Sequence, residues 1–167
     1  MIRRILALSA LALFPLRAGH SAQAQISGGA TEVRATGGLT KIFLDEPAHL
    51  TAGGSVRYYL TRRLSVQPGA FLARGSNYEE RSLLADLAFD FPASGGRVTP
   101  YVIGGVGLLR CHDKRIDYTS TELNAGGGFG AKVFLTPRLY VATEVRLGTH
   151  AFPQATIGVG FLVSRRR

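Results

Sequence analysis

The chain has no tryptophan and a single cysteine, Cys111, among its 167 residues. One cysteine makes no intramolecular disulfide, so whatever compartment the chain occupies, its fold must draw its stability from elsewhere. Without tryptophan, an aromatic belt at a membrane surface has to come from other rings, and Tyr58, Phe89, Phe91, Phe129 and Phe161 are the candidates. No stretch approaches the roughly 18 unbroken apolar residues of a spanning helix, which excludes a helical anchor in the body of the chain. Motifs of chemistry are equally scarce. No paired-ligand spacing for a metal occurs, so neither a metal nor any other cofactor is expected. Gly126, Gly128 and Gly130 lie inside a strand-like pattern and open no helix, so they form no phosphate cradle.

Glycine, by contrast, is abundant at 21 residues, with no collagen-like period, so each glycine has to be read by its position. The formal charge of +9 raises the question of nucleic acid. Its distribution answers that question. Arg3, Arg4 and Arg17 fall in the first segment and Arg165, Arg166 and Arg167 close the chain, leaving no basic face on one element and no nucleic-acid motif. The length suits one folded domain by the usual span of roughly 100–200 residues.

Residues 1–24 have the three parts of a secretory signal peptide. Arg3 and Arg4 supply the positive end, residues 5–16 are almost wholly apolar, and Ala22 and Ala24 flank one position before Gln25. The apolar run contains Pro15 and falls short of the ~20 residues that a spanning helix needs. The expected organisation is therefore a cleavable signal over 1–24 and one domain over 25–167.

From about Glu32 onward the hydrophobic period is two, the signature of half-buried strands. In residues 48–60, Leu50, Ala52, Gly54, Val56, Tyr58 and Leu60 share one face, and His49, Thr51, Gly53, Ser55, Arg57 and Tyr59 the other. The pattern recurs over 64–73, 82–91, 122–133, 139–147 and 155–163. Residues 98–109 are a more apolar strand and 32–42 a less regular one, which makes eight in all. Thr61-Arg62-Arg63, Thr136-Pro137-Arg138 and residues 93–97 are short turns at one end of the sheet. Residues 44–47, 75–80, 111–120 and 148–153 connect the other end and are generally longer and more polar. Short turns opposite longer loops mark an antiparallel transmembrane barrel.

The same alternation fits a soluble barrel of the lipocalin kind, so the apolar face must be assigned a direction. Charge and glycine decide it. Within strands the polar face carries Glu32, Arg34, Arg57, Asp86, Asp90, Glu122, Lys132, Glu144 and Arg146, four basic and five acidic, together with most of the strand glycines. Small residues belong inside a narrow, strongly curved barrel. A charge on the lipid face at mid-depth costs about 2–4 kcal/mol, and an unpaired one in the lumen several kcal/mol. These nine residues are therefore expected to form an internal network of ion pairs that plugs the lumen.

On residues 49–61, 100–109, 124–138 and 156–163, the chain resembles the OmpA-like family of small outer-membrane barrels. The resemblance implies an all-β, eight-stranded, antiparallel up-and-down transmembrane β-barrel behind its signal peptide, with termini and short turns in the periplasm and loops outside. It also implies outer-membrane lipid as the surroundings, and periplasmic chaperones and the barrel-assembly machinery as partners during biogenesis. The longest loop, 111–120, with Arg110, His112, Asp113, Lys114, Arg115 and Asp117, is the expected contact surface for a ligand of unknown identity. A non-catalytic structural or surface role is the main expectation. A soluble periplasmic ligand-binding barrel is the alternative, and a lipid-modifying enzyme is a third. For the enzyme, His49, His112 and His150 fall at the loop end near Glu46, Cys111 and Asp113, without the spacing of a nucleophile and its base.

Overall fold

A computed structural model describes residues 27–40, 48–92, 97–149 and 153–163. The proposed signal segment 1–24, His150, Glu46 and the three terminal arginines lie outside the described residues. Eight strands follow one another: β1 (Thr31–Thr40), β2 (His49–Tyr59), β3 (Leu64–Arg74), β4 (Tyr78–Asp90), β5 (Val98–Asp113), β6 (Tyr118–Phe134), β7 (Leu139–Gly148) and β8 (Gln154–Val163). Each pairs antiparallel with the next, and β8 returns to β1 from Thr31↔Val163 to Thr40↔Gln154, closing the barrel and leaving no free edge.

The period-two pattern becomes an inside and an outside. Leu50, Leu87 and Val159 keep 73%, 56% and 54% of their surface exposed, whereas Arg57, Lys132 and Glu144 keep 1%, 0% and 4%. Such an arrangement inverts a soluble protein. Apolar side chains turned outward without a partner are stable only against hydrocarbon.

Two of the turns are chemical copies of each other. In Leu60-Thr61-Arg62-Arg63-Leu64 the Thr61 hydroxyl accepts from the backbone N–H of Arg63 at 3.2 Å and of Leu64 at 2.9 Å. In Leu135-Thr136-Pro137-Arg138-Leu139 the Thr136 hydroxyl accepts from Arg138 at 3.3 Å and Leu139 at 2.9 Å. Each threonine thus supplies the acceptor that the turning backbone lacks.

At the opposite end the structure departs from the alternation. The pattern predicts a strand ending at residue 109 and a loop over 111–120, but the β5–β6 hairpin continues to Asp113↔Tyr118 and turns in four residues, 114–117. Likewise β4 begins at Tyr78, inside the predicted loop 75–80. These extensions rise where neither face meets lipid, so both faces carry polar residues and the period disappears from the sequence.

Two lumen glycines explain how a narrow barrel holds large rings. Tyr140 lies directly opposite Gly160, and Tyr101 opposite Gly130. A Cβ on Gly160 would run into the Tyr140 ring, and one on Gly130 would come within 2.7 Å of Tyr101. Each tyrosine lies flat across its neighbouring strand because that strand has no side chain there.

Candidate functional site

Inside the barrel, charged residues from five strands, β1, β2, β4, β6 and β7, meet in two connected layers. The layer nearer the short turns is centred on Lys132 of β6. Its ammonium donates to Glu32 at 3.0 Å and Asp90 at 2.8 Å, and to the Tyr59 hydroxyl at 2.5 Å. Arg57 of β2 donates to Asp90 at 3.0 Å and to the Gln67 carbonyl at 2.7 Å. The Tyr59 hydroxyl lies 2.5 Å from Glu32 and 2.8 Å from Asp90, and Tyr140 donates to the other Glu32 oxygen. Phe134, packed 5.4 Å from the Tyr140 ring, Ala30 and Leu162 form apolar clusters with Tyr140 and Tyr59 beside this layer. The layer therefore holds two cations and two carboxylates, each with more than one partner, away from water.

The second layer is built on Glu144 of β7. Arg34 donates to it at 3.0 Å, Tyr101 donates at 2.7 Å, and Arg146 donates to its other oxygen. Arg146 also reaches Asp86 of β4 at 2.9 Å, and Arg34 reaches the Tyr101 hydroxyl at 2.8 Å. Stacking joins the layers, with the Arg57 guanidinium 4.7 Å from the centre of the Tyr101 ring. Beyond the second layer, the space among Asp86, Asn124, Arg146 and Gln154 amounts to about 40 Å³. That volume holds roughly one or two waters.

Eight of the nine residues expected in the lumen fall in these layers: Glu32, Arg34, Arg57, Asp86, Asp90, Lys132, Glu144 and Arg146. Glu122 does not. It stands exposed on the upper part of β6, opposite Leu109. Without it the layers contain four cations and four carboxylates. Tyr59, Gln67, Tyr101 and Tyr140 join the network without being among the expected residues, although all four lie on the lumen face of their strands. For Tyr101 and Tyr140 an aromatic opposite a lumen glycine was the available signal.

The six expected contact residues divide. Lys114, Arg115 and Asp117 form the tip of the β5–β6 hairpin, while Arg110, His112 and Asp113 belong to β5. The tip is braced. Asp113 accepts from the Arg115 backbone at 2.9 Å and pairs with its guanidinium at 3.1 Å, Arg115 stacks 4.7 Å from the Tyr78 ring, and the Lys114 backbone donates to Asn77 at 2.8 Å. Asp117 adopts the left-handed conformation that such tight turns require, with φ of 50°. Arg110 and His112 instead lie on the outer wall, His112 against Thr119 at 3.0 Å.

The loop-end histidines do not assemble a catalytic group among the described residues. His49 is buried at the end of β2 against Gly75, while His112 faces outward from β5. Burial, then Glu80 and Glu122, push the Cys111 thiol up to about 11, so it is protonated at neutral pH and a poor nucleophile. Burial also raises the Glu80 carboxyl. No group of three metal-binding side chains occurs among the described residues.

A closed antiparallel barrel with an aliphatic exterior and an ion-paired interior belongs to the class that spans bacterial outer membranes. The chain is a member of the family defined by the outer membrane protein beta-barrel domain, whose model matches residues 5–161, and its location is the outer membrane. Solved structures share the fold. The N-terminal β-barrel domain of Pseudomonas aeruginosa OprF superposes with a TM-score of 0.68 at 19% identity, over 81% of this chain and 98% of that one. Neisserial surface protein A gives 0.62 at 17%, over 83% and 98%. The outer membrane protein OprG from Pseudomonas aeruginosa gives 0.57 at 14%, over 83% and 98%. No curated protein matches the chain in sequence.

Proposed function

We propose that this outer-membrane barrel catalyses no reaction and works as a sealed, monomeric scaffold that presents the β5–β6 hairpin outside the cell. The observation that supports a seal is Lys132, held between Glu32 and Asp90 across the lumen near its short-turn end. A solute would have to separate buried partners that cost several kcal/mol each to leave unpaired. Contact with a surface ligand falls to the braced tip, Lys114, Arg115 and Asp117, and assembly to chaperones and the barrel-assembly machinery acting on the apolar outer wall.

Conductance in planar bilayers tests the seal. The expected result is rare, small current steps; large, stable single-channel currents would overturn it. On whole cells, a membrane-impermeant amine reagent should label Lys114 and leave Lys132 unmodified. Labelling of Lys114 only after the outer membrane is opened would reverse the topology. Lipid composition unchanged by overproduction separates the scaffold from a lipid-modifying enzyme, which would alter it.

A further inference from the structure

Above the apolar belt, on the outer wall of β3, β4 and β5, three arginines gather on one side of the barrel. Arg74 and Arg81 have side chains 67% and 70% exposed and share one carboxylate, Glu79, at 3.3 and 2.6 Å. Arg110 is also exposed, and no carboxylate pairs with it among the described residues. Arg81 and Arg110 are direct cross-strand partners on the same face. Like charges placed opposite each other on a sheet destabilise it unless a counter-charge joins them. The group carries three positive charges against one negative, so it lacks an anion.

The wall just beneath is recessed. Ala52 and Ala70 leave a shallow depression bordered by Leu72, Leu83 and Leu108, and the arginines edge the same depression. Two residues along each strand thus take the surface from aliphatic to guanidinium, over the distance that separates acyl chains from headgroups. The outer faces of β1, β2, β7 and β8 carry no lysine or arginine at this level among the described residues.

We propose that Arg74, Arg81 and Arg110 bind the phosphate of an acylated, phosphorylated lipid of the outer leaflet, with an acyl chain lying in the depression below. Arginine suits this ligand because its planar fork gives paired hydrogen bonds to phosphate oxygens. The phosphate would sit between Arg81 and Arg110 and turn their repulsion into a shared attraction. Glu79 aims the Arg74 and Arg81 guanidinium groups at the same place.

Native mass spectrometry of the protein, purified from membranes in a non-ionic detergent, tests the site with added lipid A, the same lipid stripped of phosphate, and inorganic phosphate alone. One lipid A should be retained per barrel. Arg81→Gln with Arg110→Gln should lower that retention by at least about tenfold, and Arg110→Gln alone, which breaks no ion pair, by about threefold. Arg62→Gln, in the turn at the opposite end, should retain lipid like the unmodified protein. Equal retention by the Arg110→Gln variant, equal retention of the phosphate-free lipid, or inorganic phosphate binding as tightly as lipid A would each overturn the proposal. Because the assay is done in detergent, it reads the site whichever leaflet the arginines face, so a failed topology and a failed site are told apart.

Discussion

Lys132 is the residue on which the interior depends most. Its amino group lies in the lumen against Glu32, Asp90 and Tyr59, and the residue has no exposed surface. Lys132→Met leaves Arg57 to face both carboxylates alone, and breaking a buried pair in this way costs about 3–5 kcal/mol. Tyr59→Phe removes a neutral hydroxyl and should cost less, about 1–3 kcal/mol. Urea unfolding in lipid vesicles, followed by circular dichroism because the chain lacks tryptophan, measures both; a Lys132→Met midpoint matching the unmodified protein would sink the expectation. The charged half of this network was legible in the sequence because parity along a strand alone assigns Arg57 or Lys132 to the inside. The tyrosines were not so easily read, since a phenol suits either face until its hydroxyl finds a partner in three dimensions. Glu122 shows the limit of parity. It has the inward register, but it stands on the part of β6 that rises above the closed lumen.

Strands carry the next level of specification, through the fit between rings and missing side chains. Tyr140 crosses Gly160 to reach Glu32, so the β7–β8 register and the lower ion layer are fixed by one contact. Gly160→Ala would displace that ring and break its hydrogen bond. In a double-mutant cycle with Tyr140→Ala, the two changes should couple by roughly 0.5–3 kcal/mol, because the methyl group has nothing to strike once the ring is gone. Additive losses would mean that the glycine acts through the backbone and not through the tyrosine. The strands themselves were legible wherever lipid lies on one side. From 48 to 74 the predicted and observed boundaries differ by a residue at most, since every second position there must be apolar. In β5 and β6 the reading stopped short by four residues at each side of the hairpin, at 110–113 and 118–121. Those residues lie beyond the belt, and water on both faces imposes no period.

For the whole molecule the decisive property is the apolar belt, which has a depth as well as a face. On the outer wall of β4 the order from the loop end is Arg81, Leu83, Ala85, Leu87, Phe89 and, just past the strand, Phe91. If the belt is centred on this row, an arginine costs most in the middle and little at the edge. Leu87→Arg should therefore destabilise the barrel by about 2–4 kcal/mol, and Leu83→Arg, next to Arg81, by only about 0–1 kcal/mol. Both substitutions replace one leucine exposed on the outside of the same strand, so packing differences largely cancel and the contrast isolates the membrane. The measurement is the free energy of refolding into vesicles, with heat-modifiable migration confirming closure. Equal costs at 83 and 87 would mean that no hydrocarbon layer surrounds the wall. A larger cost at 83 would mean that the belt sits higher and that Arg74, Arg81 and Arg110 are submerged in it, which the Coulomb repulsion between facing guanidinium groups makes untenable in a low dielectric. The depth profile and the placement of the arginines at the headgroups are therefore one claim, tested from two directions.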